Sequence, residues 1–273
     1  MILDENIESV YSAGREMQQV YSYGKLVWEK RPIDYNITPF TVRAVDGGAT
    51  VWIGKAQDRN TGKAPVVDIK YSINGGVWIK TKSSTTIKLN RNDRVSFIAE
   101  DIDFCTVRGD TRWEGMKEIR ALSDMSGNIM SLIYGDNFIG QTVWKQRIYY
   151  WGDAGFFDHC DIRNAKNLIL PATTLSEYAY ENMFSHCFGL VSAPELPATT
   201  LVKGCYQRMF YNCEALNHIK CYATGVKSNT LIEDCLADWT SFISPSGTFE
   251  CYESFADELT PYIPSTWTVE YFT

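Results

Sequence analysis

The sequence predicts an α+β chain of several domains: an antiparallel β-sandwich of immunoglobulin-like size, then a short, capped solenoid of leucine-rich repeats. Three observations predict it. Leu170-Pro171-Ala172-Thr173-Thr174-Leu175 returns 26 residues later as Leu196-Pro197-Ala198-Thr199-Thr200-Leu201, and self-similarity at a period in the twenties marks a leucine-rich-repeat solenoid. Upstream of it, short alternating runs are separated by Asp46-Gly47-Gly48 and Asn74-Gly75-Gly76, turn signals between antiparallel strands. The length of 273 residues suits about two domains of the usual size.

The first element covers residues 1–31. Val10-Tyr11-Ser12-Ala13-Gly14 returns as Val20-Tyr21-Ser22-Tyr23-Gly24 and leads into Leu26-Val27-Trp28. Two β-rich runs punctuated by glycines predict a small hairpin or strand–turn–strand element. Such an element is too small to be stable by itself, so it docks on a partner, on another subunit or on the next domain. Val10, Tyr11, Val20, Tyr21, Val27 and Trp28 are its candidate attachment residues. The other reading is an ordinary edge hairpin of the domain that follows.

Residues 35–108 carry the sandwich. Its strands are legible in Phe40–Val45, Thr50–Ile53, Asp68–Ile73, Val77–Lys80, Thr85–Leu89 and Arg94–Ala99, short and regularly spaced as in an immunoglobulin-like sandwich. Residues 109–148 read as the solenoid's N-terminal cap, with Trp113, Met116, Ile119 and Leu122 at helix-like spacing. The repeats follow over 149–237, and 238–273 read as the C-terminal cap that shields the last open apolar end.

Within the repeats the register extends past the hexapeptide. Tyr180 recurs as Tyr206, Met183-Phe184 as Met209-Phe210, Cys187 as Cys213 and Leu190 as Leu216, and Phe156-Phe157-Asp158-His159-Cys160 is a fainter copy of Met183–Cys187, offset by 27. Apolar residues at Leu175, Ala179, Tyr180, Met183 and Phe184, and again at Leu201, Cys205, Tyr206, Met209 and Phe210, fall at i, i+4, i+5 and i+8. This predicts one buried face of a short helix. Ser176 and Glu177 suit its start, and Pro171, Pro194 and Pro197 exclude helix from the extended stretch between copies. One copy cannot bury its apolar face alone, so neighbours must stack.

Leu-Pro-Ala-Thr-Thr-Leu, then Tyr, Met-Phe-x-x-Cys and Leu-x-x-Ala-Pro-Glu-Leu-Pro, resembles the BspA-like leucine-rich repeats. These occur on surface proteins of gut and oral bacteria and in tail and fibre proteins of their phages. The resemblance runs from about 127 to 269 and includes Gly127–Phe138, similar to the segment that leads into such repeats, and Ile263–Val269, similar to their closing segment. The Val-Tyr-Ser-x-Gly and Lys-Leu-Val-Trp wording also resembles N-terminal segments of phage tail-associated proteins. The resemblance implies a fold and a cellular setting, not a ligand, because the family varies its exposed residues.

Composition narrows the function classes. A net charge of −7 and a pI near 5.1 argue against a nucleic-acid partner, which needs a basic footprint. Met1–Asn6 begins without a basic segment or apolar run, so no signal peptide is expected, and no stretch approaches the ~18 apolar residues of a membrane span. The eight cysteines are expected as free, buried thiols, because Cys160, Cys187 and Cys213 hold one repeat position. Whether Cys235 and Cys251 pair is left open.

Few residues offer chemistry. His159 and His186 share a repeat position with Asn212, which predicts a polar ladder; a zinc site wants about four converging N or S ligands, and the neighbouring thiols are expected to face inward. No cofactor or metal is therefore expected. No Gly-x-Ser-x-Gly elbow, phosphate loop or His-Glu-x-x-His is present. Asp101/Asp103 and Asp158/Asp161 are carboxylate pairs of a kind used in glycoside hydrolysis, and they are expected to be solvated charges. The expected class is a non-enzymatic binding protein.

Its candidate ligand-binding residues are Ser192, Glu195, Asn217, Lys220 and Tyr222 near the extended stretches, with the aromatic group Trp144, Tyr149, Tyr150 and Trp151. The preferred setting is a phage or prophage virion, as a tail- or fibre-associated component that contacts a bacterial surface protein or glycan through the repeats. Other virion proteins or further copies of the chain, a trimer by expectation, are its assembly partners. The alternatives are a secreted or surface-anchored bacterial adhesin for host protein or glycan, and a structural spacer or decoration protein.

Overall fold

Two patterns of burial build this protein, and each forms its own kind of hydrogen-bonded layer. The computed structural model describes residues 11–12, 15–16, 19–22, 25–29, 34–53, 69–81, 85–99, 118–144 and 155–272. They belong to two units, Met1–Asp34 and Tyr35–Thr273.

The first unit contains two successive hairpins rather than one. β1 (Tyr11–Ser12) pairs antiparallel with β2 (Arg15–Glu16), and β3 (Gln19–Ser22) with β4 (Lys25–Glu29), with a register shift between Val20 and Tyr21. Of the candidate attachment residues, Tyr11 lies in β1, Val20 and Tyr21 in β3, and Val27 and Trp28 in β4. Val10 is outside the described residues.

In the second unit, alternation decides the early strands. β5 (Thr41–Ala44), β6 (Ala49–Ile53), β7 (Ile69–Ile73), β8 (Ile79–Thr81), β9 (Thr85–Leu89) and β10 (Arg94–Ala99) are followed by β11 (Glu118–Arg120) and β12 (Ser123–Asn128). Val42, Ala44, Ile69 and Val95 are fully buried while their strand neighbours are not, as expected of a sheet with one wet face, and Phe97, Ile98 and Ala99 are buried in succession at the end of β10. β11, β6 and β9 make one small antiparallel sheet. The other runs in the order β13-β12-β5-β10-β7-β8, where β13 (Ile162–Ile169) comes from the first repeat.

That sheet crosses the divisions expected at 108 and 148. β12 pairs antiparallel with β5 and parallel with β13, so the edge of β5 is covered rather than left open. Asp124 on β12 fastens the seam. Its carboxylate receives a bidentate hydrogen bond from Arg163 on β13, at 2.9 and 2.7 Å, and a third at 2.5 Å from Arg43 on β5. Burial pushes the Asp124 carboxyl up, but the hydrogen bonds and charges of Arg163 and Arg43 outweigh it and hold it below the usual carboxylate range. Below the seam, α1 (Ser131–Tyr134) places the buried Ser131 hydroxyl between the Phe40 N–H and the Phe97 carbonyl, 2.9 Å from each.

The structure corrects the predicted fold class. The chain is not an α+β protein in which an immunoglobulin-like sandwich precedes a leucine-rich-repeat solenoid with a helical flank. Among the described residues it is mostly β, with several small sheets, none of them closed. The α-helices among the described residues are α1, α2 (Ile232–Leu236) and α3 (Ala256–Leu259), each of four or five residues. The remaining strands are β14 (Thr200–Leu201), β15 (His218–Lys220), β16 (Gly225–Val226), β17 (Thr248–Cys251) and β18 (Thr268–Tyr271).

The predicted helices are chains of turns. Residues 177–186 and 203–212 carry left-handed backbone at every fourth position: Tyr178, Asn182 and His186, then Gly204, Arg208 and Asn212. A left-handed residue breaks the i→i−4 series. Odd-numbered N–H groups instead bond three residues back, as Met183 does to Tyr180 and Ser185 to Asn182. Even-numbered ones bond to the next copy: Tyr180 to Cys205, Asn182 to Gln207, Phe184 to Met209, and further on Tyr206 to Cys235 and Phe210 to Trp239, all at 2.8–3.1 Å. A four-residue turn buries i, i+4, i+5 and i+8 as a helix does. The predicted face is therefore buried on a different backbone.

Copies stack like on like. The rings of Phe157, Phe184 and Phe210 follow one another at 5.4 and 5.9 Å, and Tyr180, Tyr206 and Trp239 at 6.1 and 6.0 Å. The Cys187 thiol donates to the Phe157 carbonyl and the Cys213 thiol to the Phe184 carbonyl. The seven described cysteines are buried, and Cys235 and Cys251 do not pair with each other. Gly155 marks how close the copies come, because a Cβ there would lie 1.6 Å from the Asn182 carbonyl oxygen.

Candidate binding face

After the turns the chain runs extended, as the strand β15 in one copy and as isolated bridges at Ser192 in the copy before it. β15, β17 and β18 lie parallel and in register, with Ile219 beside Phe249 and Val269 facing inward. Period-two alternation then sends their neighbours outward. His218, Thr248 and Thr268 form one outward row; Lys220, Glu250 and Glu270 form the next. Two residues further on come Tyr222, Tyr252 and Phe272.

These rings make a half-exposed cluster. Tyr222 and Phe272 stack at 4.7 Å and 19°, and Tyr252 meets Phe272 edge-on at 4.8 Å. The Lys220 ammonium sits 5.4 Å from the centroids of both stacked rings, within cation–π range. Glu195 closes one side. One of its oxygens lies 3.3 Å from Lys220 Nζ, and the other accepts from the Tyr222 hydroxyl at 3.1 Å. Glu250 faces Lys220 at 3.7 Å and His218 Nε2 at 2.7 Å. The backbone fixes Glu195 in place, because Leu196 N–H donates to the Lys220 carbonyl and Tyr222 N–H to the Leu196 carbonyl. The Tyr222 hydroxyl and the Glu195 carboxylate hold the Lys220 ammonium above the ordinary lysine value despite partial burial. The site is thus a patch of aromatic faces ringed by carboxylates around one fixed cation.

Of the sequence candidates, Glu195, Lys220 and Tyr222 come together here. Ser192 is half-buried and bridges the strand positions of Asn164 and His218 on the same side. Asn217 is exposed beside the start of β15. Trp144 does not belong to a surface: it is 1% exposed, and its ring packs at 4.8 Å against Tyr180. It fills the core at the first end of the tyrosine row. Tyr149, Tyr150 and Trp151 lie outside the described residues.

His218, Glu250, Tyr252 and Phe272 were missed. The signal for Glu250, Tyr252 and Phe272 is a four-residue phrase, not the 26-residue period: Ile219-Lys220-Cys221-Tyr222 reappears as Phe249-Glu250-Cys251-Tyr252 and as Val269-Glu270-Tyr271-Phe272. The intervals of 30 and 20 residues hide it from a search at fixed period.

The other chemistry-bearing candidates are placed as follows. Asp161 accepts from the Ala121 N–H, a structural role, and Asp101 and Asp103 are outside the described residues. The cysteines of the repeat position face inward, and burial pushes the Cys160 thiol up to about 12. His159 and His186 stack with ring centroids 4.2 Å apart. Among the described residues, no helix is long and apolar enough to cross a membrane. Compared with family models, curated proteins and solved structures, the chain matches none.

Proposed function

We propose that this is a non-enzymatic binding protein that engages a glycan on a bacterial cell surface through the face formed by Glu195, Lys220, Tyr222, Glu250, Tyr252 and Phe272. The observation that carries the reading is the aromatic cluster with its carboxylate rim. Aromatic rings offer large apolar area at low entropic cost, which suits the C–H faces of a sugar ring. Carboxylates accept hydrogen bonds from several hydroxyls at once, and Lys220 adds a donor whose position is already fixed. A virion tail or fibre remains the setting proposed for it, supported by the likeness of the N-terminal wording to tail-associated segments.

The test is binding of fluorescently labelled protein to panels of intact gut-bacterial cells and to polysaccharide extracted from them. Wild type is expected to bind a subset of strains, and Tyr222→Ala/Tyr252→Ala to lose that binding while keeping its fold. Equal binding by both proteins, or none to any strain and extract, would overturn the proposal. Binding to host mucin or epithelial protein instead would favour an adhesin.

A further inference from the structure

In the turns that precede β13, one carboxylate is buried among imidazoles. Asp158 is 6% exposed as a side chain; one of its oxygens lies 2.8 Å from His159 Nδ1 and the other 3.3 Å from His186 Nδ1. Among the described residues these two imidazoles are its ionic partners. A buried carboxylate needs a counter-charge, and neither ring is a permanent cation as a guanidinium would be.

The arrangement also departs from the repeat. The positions of Asp158 and His159 are occupied in the next copy by Ser185 and His186, and in the one after by Tyr211 and Asn212. The carboxylate occurs where two imidazoles face each other, and is absent where an asparagine replaces one of them. His159, His186 and Asn212 all have left-handed backbone, which histidine and asparagine tolerate better than most residues. Backbone geometry therefore accounts for His or Asn at this position, but not for Asp158.

We infer that Asp158, His159 and His186 form a binding site for a divalent transition-metal ion, with Zn2+ the best match. One ligand atom from each lies within 4.8 Å of the others. Two imidazole nitrogens and a carboxylate are the donor set zinc takes with three protein ligands and an open position, whereas magnesium and calcium prefer oxygen throughout. The thiols do not compete, because Cys160 and Cys187 are buried and the latter donates to the Phe157 carbonyl. His186 is held by its ring contacts with Phe188 and Tyr211, and the Ser185 hydroxyl, 2.9 Å from its Nδ1, turns away when the ion takes that nitrogen.

His159 is the adjustable ligand. The two rings are nearly parallel, at 14°, so a single ion cannot lie in both ring planes. His159 is 56% exposed and can swing out of the stack to point its nitrogen at the ion. The bound metal clips the first copy to the second and supplies the positive charge that Asp158 needs. One coordination position is left for water.

The experiment is calorimetric titration of the chelator-treated full chain with ZnCl2, alongside visible absorption on adding CoCl2. One ion per chain is expected, with visible cobalt bands and a melting temperature that rises with metal. His159→Asn, which keeps a residue suited to the left-handed backbone, is expected to weaken binding at least about tenfold. His218→Ala, altering the remaining histidine, is expected to bind as wild type does. No saturable uptake, or uptake unchanged in His159→Asn, would overturn the site. Should His159→Asn fail to fold, His186→Asn, which copies Asn212, replaces it in the same comparison.

Discussion

The antiparallel strands between Thr41 and Asn128 and the stacked copies after Gly155 bury apolar side chains with similar thoroughness, yet they are held in different ways. In the strands, β7 and β10 exchange hydrogen bonds in mixed sequence company: Ile98 stands opposite Lys70 and Ala99 opposite Ile69. In the copies, each residue meets its own counterpart, Phe184 between Phe157 and Phe210 and Tyr206 between Tyr180 and Trp239. A strand residue therefore answers to unlike neighbours that can adjust separately. A copy residue in these columns sits in a stack of rings, Phe on Phe or Tyr on Tyr and then Trp239, so a defect is felt above and below.

The sharpest test of that contrast is Phe184→Ala, which empties the middle of a fully buried column. A loss near the top of the range of about 3–5 kcal/mol is expected by chemical denaturation, against about 3 kcal/mol for Phe97→Ala in β10, equally buried. A loss for Phe184→Ala no larger than for Phe97→Ala would remove the distinction. Next in size is Gly155→Ala. Its Cβ would meet backbone rather than a movable side chain, so about 3 kcal/mol is expected, whereas Gly47→Ala, with open space around it, should be nearly neutral.

Asp124 joins the two regions, and acid should expose the seam. Its folded pKa is lowered by Arg163 and Arg43 against the opposing effect of burial. Its contribution is thus present above the ordinary aspartate value of about 3.9 and is lost as pH falls through the lower folded value. Asp124→Asn is expected to cost about 1–2 kcal/mol at neutral pH, towards the lower figure because both guanidinium groups are partly in water. It should also flatten the stability profile below about pH 4, read by urea melts across pH. An unchanged profile would mean that the ion cluster does not hold the seam.

Three smaller effects follow, two neutral or stabilising and one destabilising. The Tyr180 hydroxyl is buried with no hydrogen-bond partner among the described residues, so Tyr180→Phe should raise stability by about 1 kcal/mol while leaving the ring column intact. Glycine should separate the regions by sign. At Phe242, left-handed and 66% exposed, it relieves backbone strain and should be neutral or stabilising by about 0.5 kcal/mol. At Thr86, exposed in β9, it should cost about 0.5–1 kcal/mol.

Much of this was legible, and the misreadings have one source. Alternation in Thr41–Ala44, Thr85–Leu89 and Arg94–Ala99 identified strands because a period of two has no competitor. The spacing Leu175, Ala179, Tyr180, Met183, Phe184 identified the buried residues but not the backbone, because a four-residue turn and a 3.6-residue helix bury the same positions over so short a run. Clues to the turns were Asn182, Asn212 and Gly204, residues tolerant of left-handed backbone, at four-residue steps. Yet Tyr178 and Arg208 occupy such positions too, and hydrogen bonds to the next copy, invisible in a single copy, hold them there. The same applies to the binding face. Glu195, Lys220 and Tyr222 could be picked out near the extended stretch, but Phe272 joins them only once three strands align across unequal intervals.

Copy-to-copy hydrogen bonding has a further consequence, for growth. A unit whose backbone hydrogen bonds repeat from copy to copy can be duplicated or deleted as a block with that pattern kept, provided the break falls at equivalent residues. Each unit inserted between 187 and 213 would add one strand spacing, about 4.8 Å. It would move Tyr222, Tyr252 and Phe272 that much further from the seam at Asp124 while leaving both ends chemically as they are. Length in this molecule is therefore a heritable quantity counted in whole steps, by which reach can be reset independently of what is gripped.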